Sequence, residues 1–137
     1  MCSSDLPAPP PAPHAADARG RLPARPAVTP GTGLLTVYVT CASPEEAATL
    51  GRTLVEERLA ACANVLPGVT SIYRWQGTLQ QDAEAALLLK TRAGLFPAVE
   101  RRLREQHGYA VPCIVAWPLE AVSEPYARWV REQTRDP

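Results

Sequence analysis

The run of residues from Cys62 to Gly77 constrains the fold of this chain more than any other stretch of its sequence. Pro67-Gly68 interrupts the run midway, because proline cannot donate a hydrogen bond to a strand ladder. Gln76-Gly77 closes it with a pair of residues suited to a tight turn. The run is rich in the β-branched and aromatic residues that suit a half-buried sheet surface, namely Val65, Val69, Ile72, Tyr73 and Trp75. It therefore predicts one long, bent strand that forms the first arm of a β-hairpin.

The residues before this hairpin predict a strand followed by a helix. Leu34 to Thr40 is a compact run of strand-forming residues. Ser43-Pro44-Glu45-Glu46 follows it and combines an N-cap serine, a first-turn proline and a capping-box glutamate, so a helix is expected to start there. The helix is expected to bury apolar residues that recur at three- and four-residue steps: Ala47, Leu50, Leu54, Val55 and Leu59.

The residues after the turn predict a second hairpin strand and a second helix. Leu79 to Thr91 ends in an apolar stretch whose periodicity fits either strand or helix. Its place between a turn and the helix start around Pro97 favours strand. That second helix stops at Gly108 and is expected to bury Phe96, Val99 and Leu103.

The end of the chain predicts an edge strand and a short helix. The strand spans Val111 to Leu119, and Pro112 and Pro118 confine it to the edge of a sheet. The helix opens at Ser123-Glu124-Pro125 and carries an apolar stripe made of Tyr126, Trp129 and Val130. It is available to cover such an edge, in the same chain or in a neighbour.

The predicted element order, β-α-β-β-α-β-α, places the chain in the α+β class. A split β-α-β unit repeated once gives a ferredoxin-like, four-stranded antiparallel sheet with both helices on one face, here with an additional C-terminal helix. The opposite face would carry apolar residues without cover. Because monomers rarely expose large apolar patches, protomers are expected to bury this face jointly in a closed cyclic oligomer.

Charge and composition exclude two classes of partner and divide the chain. The 14 Lys and Arg residues balance the 14 Asp and Glu residues, so no long-range field attracts nucleic acid. No window approaches the roughly 18 consecutive apolar residues of a membrane span. The four cysteines form no Cys-x-x-Cys pair, which favours reduced thiols and a cytoplasmic location. Residues 1–33 hold more than half of the 15 prolines and are expected to form a disordered extension of the folded domain, 34–137.

The sequence from Leu54 to Gly77 resembles the CutA divalent-cation tolerance family. The similarity continues through His107-x-Tyr109-x-Val111-Pro112 and Tyr126-x-x-Trp129, and it covers nearly all of residues 34–134. The resemblance implies a soluble homotrimer of ferredoxin-like subunits that is associated with tolerance of copper and other divalent cations. Family members commonly have Pro, Glu and Glu at three positions where this chain has Gly108, Ala110 and Cys113. The loss of two carboxylates predicts different or weaker ligand binding.

The resemblance also implies candidate ligands for copper or another divalent cation. Cys41 matches a family cysteine at the end of the first strand, and His107 matches the second of two adjacent histidines, the first being replaced by Gln106. Cys113 is an optional third ligand. Thiolate sulfur with imidazole nitrogen suits copper or zinc. Cys41 precedes a helix N-cap, so the helix dipole is expected to favour its thiolate, although a small residue in a tight strand-to-helix turn is the preferred explanation of the position.

Other polar and aromatic residues are candidates for a cleft or an interface between subunits. Aromatic rings with polar tips often face a ligand, yet packing at an oligomer interface accounts for them equally well. Lys90 is interpreted either as an anion site or, preferably, as part of a structural ion pair, in which Glu84 pairs with Lys90 or with Arg74. The ligand-cleft candidates are Tyr73, Trp75, Glu84, Lys90 and Tyr109, and the trimer-interface candidates are Trp117, Tyr126 and Trp129.

The functional prediction is a non-catalytic trimer that takes part in the response to metal ions by weak cation binding near subunit clefts. No nucleophile elbow, phosphate-binding glycine loop, His-Glu-x-x-His segment or dinucleotide fingerprint occurs, so no enzyme is predicted. Two alternatives stay open, because fold does not fix function. One is a regulatory module that binds small molecules between protomers, of the type seen in nitrogen-regulatory proteins, and the other is a trimeric scaffold for an unknown protein partner.

Overall fold

The computed structural model describes residues 31–137, which form one sheet with helices packed against it. The predicted order β-α-β-β-α-β-α is confirmed, whereas the predicted disorder of residues 1–33 falls almost entirely outside the described residues. A short 3-10 helix, Ala93–Leu95, joins the third strand to the second helix. The strands are β1 (Leu34–Cys41), β2 (Cys62–Trp75), β3 (Thr78–Arg92) and β4 (Ile114–Pro118), and the helices are α1 (Pro44–Glu56), α2 (Phe96–Gln106) and α3 (Glu124–Gln133).

The four strands form one antiparallel sheet in the order β2-β3-β1-β4. Gln76-Gly77 makes the hairpin turn between β2 and β3, with φ values of 49° and 78° that suit a two-residue turn. The register of β2 shifts between Leu66 and Val69, where Pro67-Gly68 bends the strand. The ferredoxin-like α+β fold with an additional C-terminal helix is therefore confirmed, and so is the long, bent strand.

The helices α1 and α2 cover one face of the sheet, and the main core lies between them and the strands. Alternate residues of β1 point into this core, and Val37, Val39 and Cys41 are fully buried there. On α1, Ala47, Leu50 and Leu54 are buried as predicted. Val55 is exposed, contrary to the prediction, because it lies at the margin of the helix face that packs on the sheet.

The other face of the sheet, called the open face below, carries Thr36, Tyr38, Val115 and Trp117. Trp117 is 45% exposed although its ring centroid lies 6.3 Å from that of Tyr38. Val115 beside it is exposed as well. The described residues therefore leave an apolar surface on this face without a covering layer.

The hairpin extends beyond the rest of the sheet. β1 ends at Cys41, which pairs with Ala85, so residues 69–84 pair only between β2 and β3 and are called the arm below. Ile72 and Leu79 lie exposed on the arm. A two-stranded hairpin is marginally stable alone in water, so the arm requires packing from another surface.

The helix α3 covers only one end of the open face. Its buried residues are Ala127 and Val130, which pack on Leu34 and Ala61. The predicted stripe is therefore only partly right: Val130 is buried, but Tyr126 and Trp129 are exposed, because the helix turns positions 127 and 130 toward the sheet.

Arg92 holds the C-terminal end of α3 in place. Its guanidinium donates to Thr134 Oγ1 at 2.9 Å and also to the carbonyl oxygen of Arg131. Carbonyl groups in the last turn of a helix lack intrahelical partners, and a basic side chain can satisfy them. Arg92 on β3 therefore ties α3 to the sheet.

The strand β4 is an edge strand, as predicted, but it is shorter than predicted. It begins at Ile114 instead of Val111 and ends at Pro118. Pro112 has no N–H to donate, and residues 111–113 lie outside the ladder. Within residues 31–137, no helix has the length and apolar character needed to cross a membrane.

Candidate metal centre

Three side chains with metal-binding chemistry meet where β1 ends. Cys41 is the last residue of β1, Glu46 lies in the first turn of α1, and His107 caps the C-terminus of α2. Their ligand atoms, namely Cys41 Sγ, a Glu46 carboxylate oxygen and a His107 ring nitrogen, all lie within 4.8 Å of one another. The predicted pair of Cys41 and His107 is therefore brought together. The three residues are called the metal centre below.

Backbone hydrogen bonds fix the ring of His107. Nε2 donates to the carbonyl oxygen of Thr40 at 2.7 Å, and Nδ1 accepts from the backbone N–H of Tyr109 at 3.0 Å. Turning the ring over would lose both bonds, so the neutral ring carries its proton on Nε2. Nδ1 also lies 3.5 Å from Glu46 Oε1. The nitrogen that faces the Glu46 side of the metal centre is therefore Nδ1.

The Glu46 carboxylate turns toward the end of α2. The helix cap itself is as predicted, since Ser43 Oγ accepts from the backbone N–H of Glu46 at 3.1 Å. Glu46 Oε1 lies 3.5 Å from the backbone nitrogen of Gly108, which donates to it. The Glu46 side chain is 26% exposed, whereas that of His107 is 0% exposed. Glu46 is therefore the residue of the metal centre closest to solvent, beside a groove of about 390 Å³ that is also lined by Thr49, Leu50, Thr53 and Gln106.

Cys41 is buried and holds its proton. Burial first, and then the charges of Glu46 and Glu84, raise the pKa of the Cys41 thiol to about 12. The predicted thiolate character is therefore wrong, because the loss of hydration disfavours the thiolate more than the N-terminus of α1 favours it. Any metal ion that binds Cys41 has to displace this proton.

Native Cys41 is expected to resist alkylation at pH 8. Because its pKa is about 12 instead of the ordinary 9.0, its thiolate fraction is about a thousandfold lower. Iodoacetamide labelling with peptide mass spectrometry should show Cys41 reacting at least about a hundredfold more slowly in the native protein than in the unfolded chain. The half-buried Cys62 serves as the internal comparison. Equal labelling of Cys41 in the two states would contradict the burial of its thiol.

A second group of side chains lies beside the metal centre. Tyr109 donates its hydroxyl hydrogen to Glu84 Oε2 at 2.8 Å, and Glu84 is only 4% exposed. Burial, and then the hydrogen bond to Glu84, raise the pKa of Tyr109, so its hydroxyl remains a donor. Tyr73 lies near enough to contribute to the raised pKa of Tyr109, and its hydroxyl donates to Asp82. The structure thus brings together three of the predicted ligand-cleft residues, Tyr73, Glu84 and Tyr109.

The other two ligand-cleft candidates lie elsewhere. Trp75 ends β2 at the tip of the arm. Lys90 is six residues from Glu84 along β3, a separation of about 20 Å in an extended strand. Its Nζ donates to Asn64 Oδ1 at 3.4 Å. The predicted ion pair between Lys90 and Glu84 is therefore wrong.

Cys113 does not join the metal centre. The ladder between β1 and β4 begins at Ile114, which pairs with Val39, so Cys113 lies just outside it. The donor atoms that lie close together belong to Cys41, Glu46 and His107, and the Cys113 thiol is not in that group. The prediction of Cys113 as a third ligand is therefore wrong, and Glu46 is the third donor of the group.

The three interface candidates are partly exposed aromatic residues. Trp117 lies on the open face, and the rings of Tyr126 and Trp129 lie on α3 with their centroids 5.6 Å apart. Such exposure suits an interface, since large aromatic side chains contribute strongly to protein association. Their burial between protomers stays a prediction.

Comparison with known proteins gives the family of this fold. The family model described as CutA1 divalent ion tolerance protein matches residues 35–133. The chain belongs to the CutA1 family. The Divalent-cation tolerance protein CutA of Thermus thermophilus is 49% identical over 98 residues, which are 72% of this chain and 95% of that relative. The human Protein CutA is 41% identical over 97 residues, which are 71% of this chain and 54% of the human protein. The chain thus spans about half the length of the human relative.

Solved CutA1 structures share this architecture. CutA1 from Oryza sativa superposes with a TM-score of 0.74 at 36% identity, covering 76% of this chain and 95% of that one. The divalent cation tolerance protein (Cut A1) from Thermus thermophilus superposes with a TM-score of 0.72 at 47% identity, covering 74% of this chain and 99% of that one. The resemblance drawn from the sequence is therefore confirmed.

Glu46 is the residue of the metal centre that the sequence interpretation missed in this CutA1 chain. The sequence interpretation explained Glu46 only as part of the helix cap at the N-terminus of α1. One signal was available, because Glu46 follows the strand-end residue Cys41 by five positions. An acidic residue in the first turn of a helix that starts at a strand end lies close to that strand end.

Proposed function

We propose that this CutA1-family protein is a non-catalytic homotrimer of the metal-ion response that binds copper or another divalent cation weakly at the metal centre. The convergence of Cys41, Glu46 and His107 donors within 4.8 Å supports the proposal more than any other observation. Sulfur, imidazole nitrogen and carboxylate oxygen together suit Zn²⁺, while sulfur with imidazole suits copper. The donor set therefore fits a soft or borderline cation.

Three features of the metal centre favour weak binding. The Cys41 thiol must lose its proton, and His107 Nδ1 already accepts the Tyr109 N–H. The donor atoms of a tetrahedral zinc site lie roughly 3.3–3.8 Å apart, given metal–ligand distances of about 2.0–2.3 Å. The 4.8 Å limit on the donor separations here is wider, so the side chains have to move together around an ion.

Zinc titration of the reduced protein tests the cation proposal. The variant Cys41→Ser should bind Zn²⁺ about a hundredfold more weakly or worse, because it removes a direct ligand and even outer-shell changes cost 10–100-fold. Glu46→Gln should weaken binding as well. Cys62→Ser and Cys113→Ser are matched controls that each remove a thiol outside the metal centre and should bind as the wild type does. Equal affinities for Cys41→Ser and Cys62→Ser would contradict the proposal.

The homotrimer of the proposal is supported by the surfaces that a single chain leaves uncovered. The open face presents Val115 and Trp117, and the arm presents Ile72 and Leu79. Apolar surface of this kind marks an association site in a soluble protein, and burial between copies of the chain in a closed ring would cover both surfaces.

A cytoplasmic location belongs to the same proposal. Cys41 and Cys62 are free thiols, which persist in a reducing compartment. Named relatives differ in this respect, since the Archaeoglobus fulgidus structure is described as periplasmic and the Arabidopsis thaliana relative as chloroplastic. Cell fractionation with detection of the protein tests the location, and recovery outside the cytoplasmic fraction would contradict it.

A further inference from the structure

While the ring of His107 keeps its present position, only one of its two nitrogens can bind a cation. Nε2 is committed to the carbonyl oxygen of Thr40 at 2.7 Å. Nδ1 faces Glu46 but accepts the backbone N–H of Tyr109 at 3.0 Å. A lone pair cannot serve a hydrogen bond and a metal ion at the same time. Cation binding at His107 therefore requires the Tyr109 N–H to leave.

Tyr109 is anchored at its other end to the base of the arm. Its hydroxyl donates to Glu84 Oε2 at 2.8 Å. Cys41, the last residue of β1, pairs with Ala85, so Glu84 is the first residue of β3 beyond the end of β1. Its paired neighbour on β2 is Val69, where the register shift of β2 ends. A displacement of Tyr109 therefore changes its hydrogen bond to Glu84, at the point where the arm leaves the sheet.

The backbone between His107 and Tyr109 can rotate at Gly108 with little opposition. Gly108 lies between them and is exposed, and glycine permits the backbone rotation that would carry the Tyr109 N–H away from Nδ1. The long 3.5 Å contact of its nitrogen with Glu46 Oε1 is a weak hydrogen bond. Few interactions therefore oppose the rotation, apart from the hydroxyl of Tyr109 and the packing of its ring on that of His107.

We propose that Tyr109 is a latch that couples occupancy of the metal centre to the base of the arm. With the centre empty, its N–H blocks His107 Nδ1 and its hydroxyl holds Glu84. A bound cation displaces the N–H, and the hydrogen bond to Glu84 loosens with it. The inference rests on the proposed function, because it requires a cation at the metal centre. It identifies Tyr109 as a positioning residue that sets cation affinity without being a ligand.

Zinc titration of Tyr109→Phe tests the latch. The variant keeps the backbone N–H and the ring but removes the bond to Glu84, so displacement becomes easier and Zn²⁺ should bind about tenfold more tightly, as expected for the loss of a charged hydrogen bond. Tyr73→Phe is the matched control, since it removes the neighbouring hydroxyl that donates to Asp82. Its zinc affinity should equal that of the wild type.

Amide hydrogen exchange of the wild-type protein gives a second measurement that needs no variant. Saturating Zn²⁺ should speed exchange at the Tyr109 amide and around residues 82–85, because the latch is released. Protection that stays unchanged at these amides in the zinc-loaded protein would overturn the latch. An equal zinc affinity for Tyr109→Phe and Tyr73→Phe would overturn it too.

The two proposals fail in different ways. If Zn²⁺ binds through Cys41 and His107 but Tyr109→Phe matches the wild type, the latch alone is wrong. If neither the wild type nor Tyr109→Phe binds Zn²⁺, the cation proposal is wrong and the latch falls with it. If Tyr109→Phe binds Zn²⁺ at the metal centre and the wild type does not, the latch is supported, and in the wild type it prevents zinc binding altogether.

Discussion

Trp117→Glu is expected to convert the protein from trimers to monomers. Trp117 lies on the edge strand β4, it is 45% exposed, and it forms an apolar surface with Tyr38 and Val115. If protomers bury this surface, the substitution replaces an aromatic anchor with a charge that must be desolvated in the interface. The cost is at least about 2 kcal/mol for one interface, and a three-fold ring repeats it at every interface.

Sedimentation velocity over a range of concentrations measures the effect of Trp117→Glu. The variant should sediment as a 14.8 kDa species, and the wild type at three times that mass. Arg101→Glu is the control, because its side chain is 74% exposed on the outer face of α2 and the substitution changes the charge by more than Trp117→Glu does. A trimeric Trp117→Glu would show that the open face is not the interface, and a monomeric Arg101→Glu would show that the loss of trimers is not specific to that face.

Gly51→Val is expected to lower the free energy of unfolding by about 3 kcal/mol or more. Gly51 lies buried in the middle of α1, and a Cβ atom there would be 2.8 Å from the Cβ of Ala63 and 3.1 Å from Leu87 Cδ1. The Cβ of Ala63 cannot move without its backbone, so helix and sheet must separate. Overpacking of this kind costs about 1–3 kcal/mol for small additions, and two further methyl groups add to it. The loss of stability should be visible in urea denaturation.

Ala48→Val separates this packing effect from helix propensity. Ala48 is exposed on α1, so the same β-branched side chain there costs only its intrinsic helix preference, about 0.6 kcal/mol.

In a double-mutant cycle, Ala63→Gly should partly rescue Gly51→Ala, because it removes the atom that the new methyl group meets. A Gly51→Val protein as stable as Ala48→Val would mean that helix and sheet do not approach closely at this position.

Local sequence signals predicted most of the secondary structure. Gln76-Gly77 marked the hairpin turn, Pro67-Gly68 marked the bend of β2, and Ser43 marked the start of α1. Each of these signals acts within a few residues, through backbone conformations that only certain residues adopt or through a nearby hydrogen bond. Such effects depend little on the rest of the molecule, so they can be read from the chain alone.

The errors in the fold arose where packing partners decided the outcome. Val55 and Trp129 are apolar residues at helical spacing, yet both are exposed, because the helix face turned to the sheet depends on the neighbours that pack there. The start of β4 was placed at Val111 instead of Ile114, since the ladder with β1 determines how far a strand extends. Periodicity identifies an apolar stripe but leaves its edges undetermined.

For the metal centre too, the sequence predicted some of the features and only the structure showed the others. The resemblance to the CutA family supplied Cys41 and His107, and the structure places them together. It also leaves Cys113 out of the donor group and adds Glu46, which the sequence had explained as a helix cap. The protonated state of Cys41 was beyond the reach of the sequence, because burial and two surrounding carboxylates determine the pKa of the thiol.

The amino-acid sequence by itself determined the order of strands and helices, the bend and turn of the hairpin, and the family. Only the tertiary structure decided which donors share a centre, that Tyr109 joins His107 to Glu84, and which apolar residues remain exposed. The physical reason is how far apart along the chain the interacting atoms lie. Turns, caps and bulges depend on atoms a few residues apart, whereas burial, proton affinity and ligand geometry depend on side chains that the fold brings together from distant parts of the chain.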